Sequence, residues 1–164
     1  MKALITILFG LFLAGCSRPP QSFSPPPNKA AEELDIREAT FRYQFGDNAS
    51  GQQQRTGAYY FSIAMGEKES DPDDAFMKRF ADHKPQVKKG SESEYRIEKG
   101  LVDKQTGENG ISFTTGGIKW VSDTEVEIPG GYYEGNLSSS GNTYYLKKEN
   151  GKWKVIKNVM HYIS

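Results

Sequence analysis

The chain has 164 residues, with 21 basic and 21 acidic side chains, two histidines and a single cysteine. So even a balance argues against nucleic acid as a partner, because phosphate neutralisation needs a basic excess or stripe, and against electrostatic adhesion to anionic lipid. One cysteine excludes a disulfide framework and a cysteine-based metal site; the length suits one folded body that buries roughly 65–70% of its unfolded surface.

Lys2 places a positive charge ahead of Ala3 to Leu13, a run that is almost wholly apolar. The run is shorter than the ~20 residues that cross a bilayer and suits the hydrophobic region of a secretory signal. It ends at Leu13-Ala14-Gly15-Cys16, which resembles the lipobox of bacterial lipoproteins. The resemblance implies a signal peptide of residues 1–15, cleavage before Cys16, and diacylglycerol on the Cys16 sulfur. It further implies a lipoprotein of the cell envelope, membrane-bound through that lipid. Ser17 in place of Asp resembles the pattern of lipoproteins sorted to the outer membrane, on its periplasmic side, when the host is Gram-negative. Two acyl chains, at ~0.8 kcal/mol per buried methylene, hold a protein durably where one is marginal. Residues 16–29 read as the lipidated cysteine and a tether. Ser17 to Lys29 holds five of the eight prolines and has no apolar periodicity. In extended polyproline form, at ~3.1 Å per residue, it reaches roughly 40 Å.

Residues 30–164 read as a single α+β domain. Asn28 to Phe45 is predicted as a helix, with Asn28 as its cap and Glu32, Glu33 and Asp35 in its early turns. Ala31, Leu34, Phe41 and Phe45 form its apolar stripe, which also carries Glu38. A polar loop over Ser50 to Gly57 leads into a strand to Met65, alternating Tyr59, Phe61 and Ile63 with Ala58, Tyr60 and Ser62. Asp71 as cap and Pro72 at the first position predict a short second helix that buries Phe76, Met77 and Phe80 and stops by Pro85.

The rest reads as β-structure. Tyr95 to Val102 is expected as one strand with a bulge near Gly100, followed by a turn over Asp103 to Asn109. Ile111 and Phe113 lead to Gly116-Gly117. From Ile118 to Ile128, alternation predicts one strand with one wet face. Pro129-Gly130-Gly131 should kink or bulge that strand before Tyr132 and Tyr133, and Ser138 to Asn142 should turn the chain into Tyr144-Tyr145-Leu146. Asn150-Gly151 is a type I′ hairpin signal, and the final strand runs from Lys152 to Ile163.

The expected architecture is a long N-terminal helix and a short helix packed on a curved, mostly antiparallel sheet of about six strands. This element order, with the closing hairpin from Lys147 to Val155, resembles the nuclear-transport-factor-2-like superfamily, also called cystatin-like or SnoaL-like. The resemblance implies a cone: a bent sheet wrapped around the long helix, with a pocket at its open end.

His161 shares the odd parity of Trp153, Val155, Val159 and Ile163, so it is expected on the covered face. There it serves either as a general acid/base or as a buried histidine bonded to a neighbour. Glu38, with Asp35 nearby, is either a desolvated general base or an ion-pair partner of Arg42 four residues on. No metal-ligating spacing and no cofactor motif occurs. Each of the pairs Tyr132-Tyr133 and Tyr144-Tyr145 should point one ring to each sheet face. Tyr133, Tyr145 and Trp120 are therefore candidate binding residues, with cross-strand aromatic packing as the other reading. The leading expectation is a non-catalytic binding module for a partner protein or a small apolar ligand. A small pocket enzyme using His161 or Glu38, and a purely structural domain, are the alternatives.

Overall fold

A computed structural model describes residues 28–47, 56–135 and 138–164. The expected signal, Cys16 and all but the end of the tether lie outside the described residues. Helix α1 spans Lys29–Gly46 and is followed by strands β1 (Ala58–Met65) and β2 (Lys68–Ser70). Helix α2 (Asp74–Met77) continues as a 3-10 turn over Lys78–Phe80. Next come β3 (Gln86–Lys89), β4 (Ser93–Arg96), β5 (Gly100–Asp103), β6 (Gly110–Thr115) and β7 (Lys119–Ser122). The chain closes with three long strands, β8 (Glu125–Gly135), β9 (Ser138–Glu149) and β10 (Lys152–Ile163).

The fold is α+β, with few helices and a mostly antiparallel sheet. Among the described residues eight strands form it, in the order β10-β9-β8-β6-β1-β2, with β3 added to β1 and β7 to β8. The expected six are exceeded because β2, β3 and β7 are short additions along its margins. β1 lies parallel to both β3 and β6, in a sheet otherwise antiparallel. Such pairing needs a long crossover, and the intervening segment contains α2 and the separate β4–β5 hairpin.

Helix α1 lies across one face of the sheet, here called the inner face. Phe41 stacks on Phe61 at 3.9 Å and joins a cluster with Phe76, Phe80, Phe113 and Tyr132. Ile36 joins a second cluster with Val126, Ile128, Tyr144, Leu146 and Trp153. Between them the helix buries Arg37, Thr40 and Gln44. Arg37 donates to Thr115 Oγ1 at 2.9 Å and to the Gly116 carbonyl at 2.8 Å. Gln44 donates to the Thr114 carbonyl at 3.1 Å. The covered stripe is thus rotated toward polar residues, and Leu34 and Phe45 pack at its margin, only half-buried.

Several local expectations are corrected. Asn28 makes no side-chain cap bond. Asp73, not Asp71, caps α2 by accepting from Phe76 N at 2.7 Å, while Asp71 accepts from Ser91 N and Oγ. The strand expected over 95–102 is a hairpin, turned between Arg96 and Gly100, whose φ of 81° suits glycine. The strand expected over 118–128 is also a hairpin. Because Trp120 pairs with Val126 across it, the alternation survives the reversal and hides the turn. Residues 129–131 run without a register break. The Pro129 carbonyl accepts from Gly116 N, so its missing N–H falls in the gap between β7, which pairs up to Glu127, and β6, which pairs from Gly130. The bulge comes instead at Glu134. Ser138 to Asn142 are strand, paired with Gly135 to Gly130.

Candidate functional site

The register of β10 decides the fate of His161. A bulge at Ile156 breaks the parity set by Trp153 and Val155, so Lys157 rather than Ile156 lies opposite Tyr145. A second bulge places His161 itself between Met160 and Tyr162. The imidazole therefore lies on the outer face, exposed, with Nε2 2.8 Å from Thr143 Oγ1. Odd numbering gives it no place on the covered face.

Glu38 lies beside an open cleft of about 520 Å³ between α1 and the Gly151–Trp153 hairpin tip. Both its oxygens are engaged: Oε1 with Arg42 Nε at 2.9 Å, and Oε2 with Arg79 Nη1 at 2.9 Å. Asp35 accepts from the same Arg79 nitrogen at 2.7 Å. This is a half-exposed ion-pair network joining α1 to the end of α2, of the kind Arg42 was expected to make. His161 is not part of it.

The tyrosine pairs divide between faces as expected. Tyr132 and Tyr144 are buried in the core, whereas Tyr133 (37% exposed) and Tyr145 point outward. Tyr133 and Tyr145 do not converge: Tyr133 pairs with Ser139, six positions before Tyr145 on β9, a separation of roughly 20 Å. Tyr145 is covered by the Lys157 ammonium at 5.1 Å, and Tyr133 sits against Tyr95 at 6.3 Å. Trp120 belongs to the other face, edge-on to Trp153 at 5.7 Å. The three do not make one surface.

What the sheet does build is a groove on its outer face. The β4–β5 hairpin covers one half of that face, where Tyr60, Ala58 and Leu101 pack together. The other half is uncovered. Its floor is a cross-strand row of small residues, Thr114–Gly131–Gly141, ending at Tyr162 on β10. The Tyr162 ring lies where a Gly141 side chain would stand; a Cβ there would be 2.2 Å from the ring. Tyr133 walls the groove at the hairpin side and Tyr162 (58% exposed) at the sheet margin. Ser139 and Glu69 also line it, and its volume is about 370 Å³. Gly131 and Gly141 read from sequence as turn or breaker residues. Neither carries a local signal for a floor, which forms only where β8 pairs with β9.

Among the described residues no group of three or more His, Cys, Asp or Glu is placed to hold a metal ion. No described helix is long and apolar enough to cross a membrane. Compared with protein-family models, curated proteins and solved structures, the chain matches none.

Proposed function

We propose that this chain is a membrane-anchored envelope lipoprotein whose single domain is a non-catalytic binding module, with its ligand or partner held on the outer face of the sheet. The observation that carries the binding reading is the uncovered groove between Tyr133 and Tyr162 over a floor of glycine. Concave sites with a few polar groups and aromatic walls are where small ligands bury surface. The anchor reading rests on Leu13-Ala14-Gly15-Cys16 behind a short apolar run. A cystatin-like cone belongs to this proposal. It is supported by the passage of α1 across the inner face between two apolar clusters, which leaves the outer side as the face available to a ligand.

The test is mass spectrometry of the full-length protein extracted from bacterial membranes. The expected product begins at Cys16, carries diacylglycerol there, and retains a small molecule or a stoichiometric partner that the Tyr133→Ala, Tyr162→Ala double variant loses. Cys16→Ala should abolish fatty-acid labelling. Unchanged labelling in that variant, or a retained species indifferent to both tyrosines, overturns the corresponding half.

A further inference from the structure

We propose that the outer-face groove binds a neutral saccharide; this rests on the groove being the binding face. Its lining selects among ligand classes. Among the described residues no Lys, Arg or His lines it and Glu69 is the single charge, so an anionic ligand finds no counter-charge there. The floor row runs across β6, β8 and β9, strands whose backbones are already paired on both sides. An extended peptide lying on that floor therefore has no free edge to extend, which strand addition requires; the sheet's edge at β10 lies beyond Tyr162. A lipid chain would lie in a shallow, open trough, with much of its length still in water.

A pyranose ring meets these constraints. Its C–H faces pack on tyrosine rings, which are apolar in body and polar at the tip. Tyr133 and Tyr162 stand at opposite sides of the floor, both exposed enough to offer a ring face. Its hydroxyls then reach the Glu69 carboxylate and the Thr114 and Ser139 hydroxyls, which line the same groove. Gly131 and Gly141 keep the floor low, because the Ser140 carbonyl and the Tyr162 ring take the places of their side chains and no Cβ rises between the walls. A volume of about 370 Å³ is at the low end for small-molecule sites, which suits a short stretch of glycan.

The experiment titrates the full lipidated protein, held in phospholipid nanodiscs, with neutral trisaccharides of gluco, N-acetylgluco, manno and galacto configuration. Calorimetry and hydrogen exchange are the readouts, with empty nanodiscs as control. At least one sugar should bind saturably, with little dependence on salt, and protect amides near Gly141 and Tyr162. Tyr133→Ala and Tyr162→Ala should each weaken binding about tenfold, while Tyr133→Phe and Tyr162→Phe stay within about twofold, because stacking needs the ring and not its hydroxyl. Unchanged core amide exchange in each variant confirms folding. No binding by any of the sugars at millimolar concentration, or binding indifferent to both alanine variants, overturns the proposal. If no sugar binds but the species retained by wild-type protein is still lost from the alanine variants, the saccharide assignment falls and the groove reading stands. If nothing depends on either tyrosine, both fall.

Discussion

Asp103 shows how one buried carboxylate organises the half of the outer face that the groove leaves alone. It is 3% exposed and accepts from Lys88 Nζ at 2.6 Å, Tyr60 Oη at 2.7 Å, and Gln105 N and Thr106 N at 2.8 and 2.9 Å. Those bonds tie the turn after β5 to β1 and β3. The Lys88 ammonium first, then the Thr106 N–H and the Tyr60 hydroxyl, hold its carboxyl well below the usual carboxylate range, against burial, which raises it. A depressed folded pKa contributes stability above the ordinary value of 3.8 that is lost as pH falls through the folded one. Tyr60 is shifted the opposite way, raised by burial first and then by Asp103, so its contribution holds below the ordinary 10.0 and fades only in alkali. Asp103→Asn should therefore cost about 3 kcal/mol in urea unfolding at neutral pH, because it leaves Lys88 without its carboxylate in a largely buried place. The gap between variant and wild type should narrow below about pH 3.8. A neutral-pH difference under about 1 kcal/mol would make the network ornamental.

At the scale of elements, what was legible in the sequence is what local chemistry determines. The extent of α1, the alternation of β1 and the Asn150-Gly151 hairpin follow from neighbouring residues; Asn150 and Gly151 take φ of 51° and 77°, as a type I′ turn requires. The division of Tyr132-Tyr133 and Tyr144-Tyr145 between faces follows from period two alone. What was not legible depends on partners distant in sequence. The bulge at Ile156 has no residue signature, yet it moved His161 to the other face. The parallel pairing of β1 with β6 is invisible to any reading of neighbours, and so is the glycine floor, because Gly131 and Gly141 become a row only once β8 and β9 pair. That row is testable on stability grounds. In Gly141→Ala the new methyl occupies the place of the Tyr162 ring, which must swing away. The end of β10, held by the Ser164 N–H to the Ser139 carbonyl, should then exchange its amides faster, at a stability cost of about 1 kcal/mol. Adding Tyr162→Ala to Gly141→Ala should remove most of that penalty, since the clash needs both partners. Strict additivity in the cycle would mean that ring and glycine do not oppose each other.

For the molecule as a whole, the question is why two apolar clusters separated by a polar seam should behave as one unit. Phe41 roots one cluster and Ile36 the other, and both stand on α1. The seam of Arg37, Thr40 and Gln44 lies between them over the end of β6. Thr40 satisfies its hydroxyl on the Ile36 carbonyl, within the helix. Arg37 instead reaches across layers, and it is 7% exposed, so its two bonds to Thr115 and Gly116 fix the axial position of α1 on the sheet. A helix placed by that contact seats both clusters together, and neither can open without releasing the same helix. Native-state hydrogen exchange should therefore give matching opening free energies for Phe61 and Phe113 amides in one cluster and Leu146 and Trp153 amides in the other. Arg37→Met keeps the bulk but strands the Gly116 carbonyl and the Thr115 hydroxyl. It should lower both sets by the same amount, about 1–3 kcal/mol. A fall confined to the Phe61 side would show that the Trp153 side is held independently by the bonds of Glu32 to Lys148 and to Trp153 Nε1, and that the seam divides the core instead of joining it.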